Sequence, residues 1–258
     1  MPDPEFRADV NIVGNTIERS AGNGIQQRNG LTTGRLFLDV FNNIFSHNDS
    51  SPISLNSGNP GTLVFRGGFN DFFANGNPNN FDGKPAGPGN LTLGPRFVNP
   101  TANDFRLRSD SPLINKGFTC SPGGIANPDA AGRHRLNGPT VDMGAFENGG
   151  AAITGVVRLG TDGKDTLIGS GGRDVLCGYA AEDKLVGGPG HDYIDGGAGP
   201  DRITPGLGVD RALGGAGDDL LCMRDNAGGD VANGGPGNDK AHTDAGDIRI
   251  AVERSGAC

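Results

Sequence analysis

The chain has 258 residues and a formal net charge of −8, yet only 34% of its residues are hydrophobic, 47 are glycine and none is tryptophan. That length allows one large or two small domains. So little apolar side chain excludes a conventional globular core and favours a repeat architecture that buries a thin apolar stripe per coil. No apolar run is long enough for a membrane-spanning helix, and an acidic chain with no evident basic or aromatic stripe argues against nucleic acid as a partner.

The first predicted elements recur at a long period. Val13-Gly14-Asn15-Thr16-Ile17, Phe41-Asn42-Asn43-Ile44-Phe45 and Phe69-Asn70-Asp71-Phe72-Phe73 are related by one constant step, and the same step aligns Ile25, Ile53 and Phe81. Two separate apolar marks at one spacing predict a solenoid of about three coils, each rising by roughly 4.8 Å, the interstrand distance in a sheet. Asn15, Asn43 and Asp71 are then expected to stack as a polar ladder at a corner. The pattern resembles the right-handed parallel β-helix of pectate-lyase-like proteins.

Pro95-Arg96-Phe97-Val98, Asp104-Phe105-Arg106-Leu107, Ser111-Pro112-Leu113-Ile114-Asn115-Lys116-Gly117 and Val141-Asp142-Met143-Gly144-Ala145-Phe146-Glu147 follow. They resemble the end of bacterial surface β-helix proteins of the choice-of-anchor type, in which this stretch closes the helix. Asp129, Gly132 and Arg135 fall where that pattern expects polar loop residues. Residues 148–159 shift in composition and read as a linker.

The chain from residue 160 has a shorter period. Asp165, Asp174, Asp183, Asp192, Asp201, Asp210 and Asp219 stand nine residues apart, each sixth in a unit whose first four places favour glycine, as in Gly187-Gly188-Pro189-Gly190-His191-Asp192-Tyr193-Ile194-Asp195. The eighth place is apolar: Leu167, Leu176, Leu185, Ile194, Ile203, Ala212 and Leu221. Glycine tolerates positive φ, so the first half of a unit predicts a tight turn with convergent carbonyls. The second half predicts a short strand with its middle side chain turned inward. Two units close one coil, which stacks Asp165 with Asp183, Asp174 with Asp192, Asp183 with Asp201, Asp192 with Asp210, and Asp201 with Asp219. Carboxylates and carbonyls are the oxygen ligands that calcium takes in sixes to eights. The unit resembles the calcium-binding nonapeptide repeat of RTX (hemolysin-type) proteins. That resemblance implies Ca2+ as cofactor, the seven phased aspartates as metal ligands, at most about five ions, and a roll that orders outside the cell.

Some units depart from the pattern. Gly178-Tyr179-Ala180-Ala181 carries side chains where glycines belong, and Pro205 replaces a leading glycine, so weaker sites are expected there. After Asp219 the phase slips by two residues to Asp230 and resumes at Asp239, with only Ala232 and Ala241 inward, so the repeats are expected to fray. Ile248-Arg249-Ile250-Ala251-Val252 alternates like a capping strand.

Residues 1–159 hold 13 acidic and 13 basic side chains, whereas 160–258 hold 17 and 9, so the charge imbalance lies in the nonapeptide region. Like charges stacked on successive coils predict a calcium-free roll that is expanded and poorly ordered. Four cysteines, Cys120, Cys177, Cys222 and Cys258, allow three fully paired connectivities. Cys177 and Cys222 occupy the ninth place of units an odd number apart, which predicts opposite faces of the roll and argues against their pairing. Cys222 with Cys258 would pin the tail and leave Cys120 with Cys177; free thiols are the other reading. No Cys/His cluster indicates zinc.

Catalytic patterns are sparse. Mannuronan epimerases also join a β-helix to nonapeptide repeats, but both tyrosines here, Tyr179 and Tyr193, lie in the roll, and the Asp-Pro-His type motif is absent. A pectate-lyase-like site needs an arginine near carboxylates, for which Arg66 and Asp71 are the nearest candidates. Glu18, Asp39 and Asp71 are too scattered to nominate as a glycosidase pair. His47, His134, His191 and His242 stand apart from any serine or cysteine partner, so no triad is expected. Asn48-Asp49-Ser50 and Asn90-Leu91-Thr92 match the glycosylation acceptor triplet, and the chance reading is preferred.

The sequence therefore predicts an all-β chain: a right-handed parallel β-helix (solenoid) over 1–147, a linker over 148–159, and a calcium-binding parallel β-roll over 160–258. The expected function is a non-catalytic extracellular calcium-binding module, secreted or attached to the cell surface. The alternatives are the C-terminal part of a polysaccharide lyase or epimerase acting on acidic glycans, and a glycan-binding adhesin. Calcium and an extracellular or cell-surface polysaccharide are the expected partners. Met1-Pro2-Asp3-Pro4-Glu5-Phe6-Arg7 does not resemble a signal peptide, which favours truncation of a longer parent.

Overall fold

The computed structural model describes residues 7–27, 35–55, 63–77, 87–121, 129–132, 135, 140–149, 154–255 and 258. Among these the structure is all-β; its helical element is a single 3-10 turn, Pro100–Ala102. No helix among them is long and apolar enough to cross a membrane. The chain divides into two compact units, residues 1–151 and 152–258.

In the first unit, β1 (Arg7–Val13), β2 (Thr16–Glu18) and β3 (Ile25–Gln27) form one coil, and β4 (Arg35–Phe41), β5 (Ile44–Ser46) and β6 (Ile53–Leu55) the next. β7 (Leu63–Gly68) and β8 (Asp71–Phe73) belong to a third. Equivalent strands pair in parallel, giving sheets β1-β4-β7, β2-β5-β8 and β3-β6. Leu38, Val40, Phe45, Ile53, Leu55 and Phe72 fill the interior, with the Phe45 and Phe72 rings stacked at 5.3 Å.

The first two coils keep the step expected from the sequence, pairing Ile17 with Phe45 and Ile25 with Ile53. Between the second and third the step is one residue shorter, pairing Phe45 with Phe72. The expected rung Asp71 is therefore wrong: the ladder runs Asn15, Asn43, Asn70 and Asn90. Asn43 Oδ1 accepts from the Asn15 backbone N–H at 2.9 Å and from its Nδ2 at 3.1 Å. Asn70 Oδ1 accepts the same two donors of Asn43, and Asn90 Oδ1 accepts from Asn70 N at 2.9 Å. An asparagine can both give and take along such a column, whereas aspartate would stack charges without a donor. A one-residue slip turns a side chain to the other face. Asp71 is accordingly buried outside the ladder: its Oδ1 accepts from Leu93 N at 2.7 Å, its Oδ2 has no partner, and burial pushes its carboxyl up to about 7. The expected mark Phe81 lies outside the described residues.

Each rung follows a residue in the left-handed region, Gly14, Asn42, Phe69 and Gly89, which bends the chain at the corner. A second corner repeats the device with Arg19, His47 and Ala74, all at positive φ. Its rungs are Ser20, Asn48 and Asn75, with Asn48 Nδ2 donating to Asn75 Oδ1 at 2.8 Å and Asn48 Oδ1 accepting from Ser20 N at 3.0 Å. Asn48 and Asn90, which open the two acceptor triplets, thus serve as ladder rungs.

β9 (Phe97–Asn99) and β10 (Asp104–Leu107) form an antiparallel pair. Phe97 and Leu107 join Leu113, Met143 and Ile44 in a second core. Of the three residues expected to hold a loop, Gly132 is exposed, whereas Asp129 and Arg135 are buried together with Asp142 and Glu147. Glu147 N donates to Asp129 Oδ2 at 2.9 Å, Asp142 N donates to the Glu147 carboxylate, and Arg135 Nη2 donates to Gly14 O at 2.7 Å. Burial pulls the Arg135 guanidinium below its ordinary pKa, opposed by the Glu147, Asp129 and Asp142 carboxylates. Removing one member of such a buried charge set leaves the others uncompensated. Arg135→Met should therefore destabilise the first unit by about 3–5 kcal/mol, read as a lower melting midpoint; an unchanged midpoint would refute a structural role for this cluster.

The described part of the second unit has twelve strands: β11 (Val157–Leu159), β12 (Thr166–Ile168), β13 (Val175–Ala180), β14 (Lys184–Gly190), β15 (Tyr193–Ala198), β16 (Arg202–Gly208), β17 (Arg211–Ala216), β18 (Leu220–Cys222), β19 (Val231–Asn233), β20 (Lys240–His242), β21 (Ile248–Ile250) and β22 (Arg254–Ser255). Odd-numbered strands form one six-stranded sheet and even-numbered strands the other. All pair in parallel, Leu167 with Leu185 and Leu185 with Ile203, and the step lengthens by two residues where Leu221 meets Ala241. Two nonapeptides therefore make a coil. The predicted eighth-place residues form the core stripe, from Leu167 through Leu221 to Ala232 and Ala241, joined by Met223. Cys177 in β13 and Cys222 in β18 lie on different sheets, and Cys222 is bonded to Cys258 with Cα atoms 5.9 Å apart.

Candidate metal centre

The glycine-rich turns place their aspartates in two columns along the second unit. In each column the backbone N–H of one aspartate donates to Oδ1 of its equivalent on the next coil. Asp165 donates to Asp183 at 2.7 Å, Asp183 to Asp201 and Asp201 to Asp219 at 2.8 Å, and Asp219 to Asp239 at 2.9 Å. The other column runs from Asp174 to Asp192, Asp210 and Asp230, at 2.8 Å per step. All the pairs expected from the period are formed. The expected fraying does not occur: the columns continue past the two-residue insertion, with Asp230 N donating to Asp247 Oδ1 at 3.2 Å and Asp239 N to Glu253 Oε2 at 2.7 Å. Extra residues between Asp219 and Asp230 are absorbed in the turn, so strand register survives.

With Oδ1 occupied by the ladder, the second oxygen faces into the turn. Oδ2 of Asp183, Asp192, Asp201, Asp210, Asp219, Asp230 and Asp239 is buried without a hydrogen-bond partner. An unsatisfied buried polar atom costs roughly 1–3 kcal/mol, more when charged, so a stack of them calls for a cation. Asp165 and Asp174 differ. Thr161 N and Oγ1 reach Asp165 Oδ2 at 2.6 and 2.9 Å, and Ser170 N reaches Asp174 Oδ2 at 2.8 Å. A hydroxyl residue in the second place of those units satisfies the carboxylate from within the protein.

The leading glycine of a unit is what leaves room beside Oδ2. A Cβ on Gly196 would crowd Asp201 Oδ2 and lie 2.6 Å from Gly214 O; one on Gly214 would crowd Asp219 Oδ2 and lie 2.6 Å from Gly234 O. The same neighbours recur at Gly178 with Asp183 Oδ2 and Gly196 O, at Gly187 with Asp192 Oδ2 and Pro205 O, and at Gly234 with Asp239 Oδ2 and Ala251 O. Each cradle thus pairs an unpartnered carboxylate oxygen with a carbonyl from the next coil. Asp210 lacks one because Pro205 takes the glycine's place. Tyr179 and Ala181 adopt φ of 76° and 71° at places where the following coil has Gly197 and Gly199, a backbone region that costs an L-residue roughly 1–2 kcal/mol.

The electrostatics agree. Burial raises Asp192 and Asp201 to about 7, opposed by the ladder N–H and reinforced by neighbouring aspartates in the same column. Asp210 and Asp219 rise to about 6 for the same reasons, and Asp183, Asp230 and Asp239 are also raised, burial being the first cause. Asp195, which the period did not single out, is buried and raised to about 7 by desolvation. Among the described residues no three His, Cys, Asp or Glu side chains converge. The available ligands are therefore one or two carboxylates plus backbone carbonyls, a set suited to a hard cation and unsuited to zinc.

Residues 159–194, 186–221 and 224–247 match the sequence model of the RTX calcium-binding nonapeptide repeat. The second unit carries RTX calcium-binding repeats. The match includes the stretch after the phase slip, in keeping with the unbroken RTX columns. No curated protein and no solved structure matches the chain.

Among the described residues, which leave out His134, the catalytic candidates of the first unit are not assembled into a site. Arg66 makes a bidentate pair with Asp39, at 2.6 and 2.8 Å, while Asp71 is engaged with Leu93 in another sheet. The expectation that His47 lacks a serine partner is corrected: Ser46 Oγ lies 2.9 Å and Glu18 Oε1 3.1 Å from its Nδ1. The long period of the first unit, which brings Glu18 beside Ser46, was the signal that could have found this contact. Both partners share one ring nitrogen, whereas a charge-relay arrangement needs the serine on one nitrogen and the acid on the other.

Proposed function

We propose that this protein is an extracellular, non-catalytic module whose RTX roll is ordered by calcium. The observation that carries the reading is the column of buried Oδ2 atoms without partners, each beside a glycine-built cradle. Asp183, Asp192, Asp201, Asp219 and Asp239 would hold the ions with carbonyls of Gly196, Pro205, Gly214, Gly234 and Ala251, giving five cradles. Bound calcium would supply the positive charge that the stacked carboxylates lack. Placement outside the cell rests on the RTX match; extracellular calcium modules in general work at about 10⁻⁴ to 10⁻³ M calcium. The first unit closes its coils with asparagine ladders and buried charge pairs, which supports a scaffold role.

Isothermal titration of calcium into chelator-treated protein tests the ligand assignment. Loss of one site in Asp201→Asn and no loss in Asp165→Asn is the expected result, because Thr161 already satisfies Asp165. Equal losses in both would overturn the division between the two kinds of rung. Release of unsaturated uronate from pectate or alginate by the purified protein would overturn the non-catalytic reading.

A further inference from the structure

One face of the roll separates its charges in a way the chain order conceals. In the even-numbered sheet, the place before each inward residue points outward, and those places hold Thr166, Lys184, Arg202, Leu220 and Lys240 in register. Lys184, Arg202 and Lys240 are exposed, beside buried Leu185, Ile203 and Ala241. The neighbouring outward row holds Ile168, Val186, Thr204, the disulfide-bonded Cys222 and His242. No acidic side chain occupies either row. Two other cations of the roll are paired with acids, Lys164 with Glu182 at 2.7 Å and Arg224 with Asp244 at 3.2 Å. Lys184 and Lys240 make no such pair among the described residues, and Arg202 Nη2 donates to Cys258 O at 3.3 Å, where the Cys222–Cys258 disulfide brings the last residue onto this face.

We propose that this row is a docking site for a linear anionic polysaccharide. Parallel strands in register fix Lys184 and Arg202 about 4.8 Å apart and Lys240 about 10 Å further on, a periodic line of cations along the roll axis. A chain with an acidic group on every sugar or every second sugar presents periodic charge that meets this line, and the flanking Thr166, Thr204 and Val186 offer hydroxyls and a flat apolar surface to sugar rings. Charge complementarity chooses an anionic occupant. Against nucleic acid, the rows hold no phenylalanine, tyrosine or tryptophan ring on which bases could stack. The sequence showed no basic stripe because whole coils of other residues separate Lys184, Arg202 and Lys240 along the chain. The site rests on the calcium-ordered roll, since only a folded sheet holds the row in line.

The test uses the full chain in millimolar calcium, with hyaluronan as the carboxylated probe, heparin as the sulfated one, and neutral dextran and single-stranded oligodeoxythymidylate beside them. Binding is followed by affinity electrophoresis, and circular dichroism is recorded on the same samples. The expected result is retardation by hyaluronan or heparin that weakens with salt, and none by dextran. Lys184→Ala/Arg202→Ala/Lys240→Ala should weaken binding tenfold or more. Arg106→Ala/Arg108→Ala/Lys116→Ala, which removes the same charge from exposed places in the first unit, should leave binding unchanged. The inference is overturned if both triple variants bind alike, if only the oligodeoxynucleotide binds, or if nothing binds while circular dichroism shows a folded roll. Row-dependent binding that persists in chelator, with unchanged dichroism, would instead sink the calcium-ordering reading and keep this one.

Discussion

Gly196→Ala will weaken calcium binding at the centre of the roll by tenfold or more without altering a single charge. The added Cβ would occupy the space between Asp201 Oδ2 and Gly214 O, the place a cation would need. Tenfold corresponds to about 1.4 kcal/mol, at the lower end of the roughly 1–3 kcal/mol that overpacking costs. Gly171→Ala is the matched control: nothing lies within 4 Å of a Cβ there, and it should bind calcium like the parent. The comparison separates the shape of the cradle from its charge, and equal behaviour of the two variants would show that the glycines serve the turn alone.

The second large effect is in pH. Asp192 and Asp201 stand near 7 and Asp210 and Asp219 near 6 in the folded roll, against an ordinary value of 3.8. A carboxyl whose folded pKa is raised holds its proton more tightly when folded, so protonation favours folding. That stabilisation is fully present below the unfolded value and is lost as pH rises through about 6 to 7. In chelator, β-type circular dichroism should therefore be stronger at pH 5 than at pH 8. Calcium, by taking the place of the protons, should abolish the difference, and near pH 6.5 its binding should release protons, read as a heat of binding that varies with the ionisation enthalpy of the buffer. A chelated roll more ordered at pH 8 than at pH 5 would contradict the electrostatic account.

How far the sequence could be read depended on whether each period stayed constant. The nine-residue phase predicted the two-unit coil, the apolar stripe and every stacked pair from Asp165 to Asp219, because one side chain in each unit faces one way. It named Asp230 and Asp239 after the slip but expected fraying there, since an insertion within a turn breaks a count of residues while leaving strand register intact. It treated Asp165 and Asp174 like the others; Thr161 and Ser170 in the second place were visible, but their reach to the carboxylate depends on turn geometry. In the first unit, a single missing residue before Asn70 made Asp71 look like a rung. Adjacent polar residues hid the slip, although asparagine's ability to give and take along a column favours Asn70. The second ladder escaped notice because its corner residues, Arg19, His47 and Ala74, share a backbone conformation and no chemistry.

The dependence of the roll on calcium is tested most directly by titrating calcium into chelator-treated protein at neutral pH while following far-ultraviolet circular dichroism, beside an Asp192→Ala/Asp201→Ala variant. The two aspartates lie one in each column, and both have an unpartnered Oδ2. The predicted result is a cooperative gain of β signal in the parent that the variant loses or shifts to much higher calcium. A parent roll already fully formed in chelator at neutral pH, and indifferent to added calcium, would contradict the account.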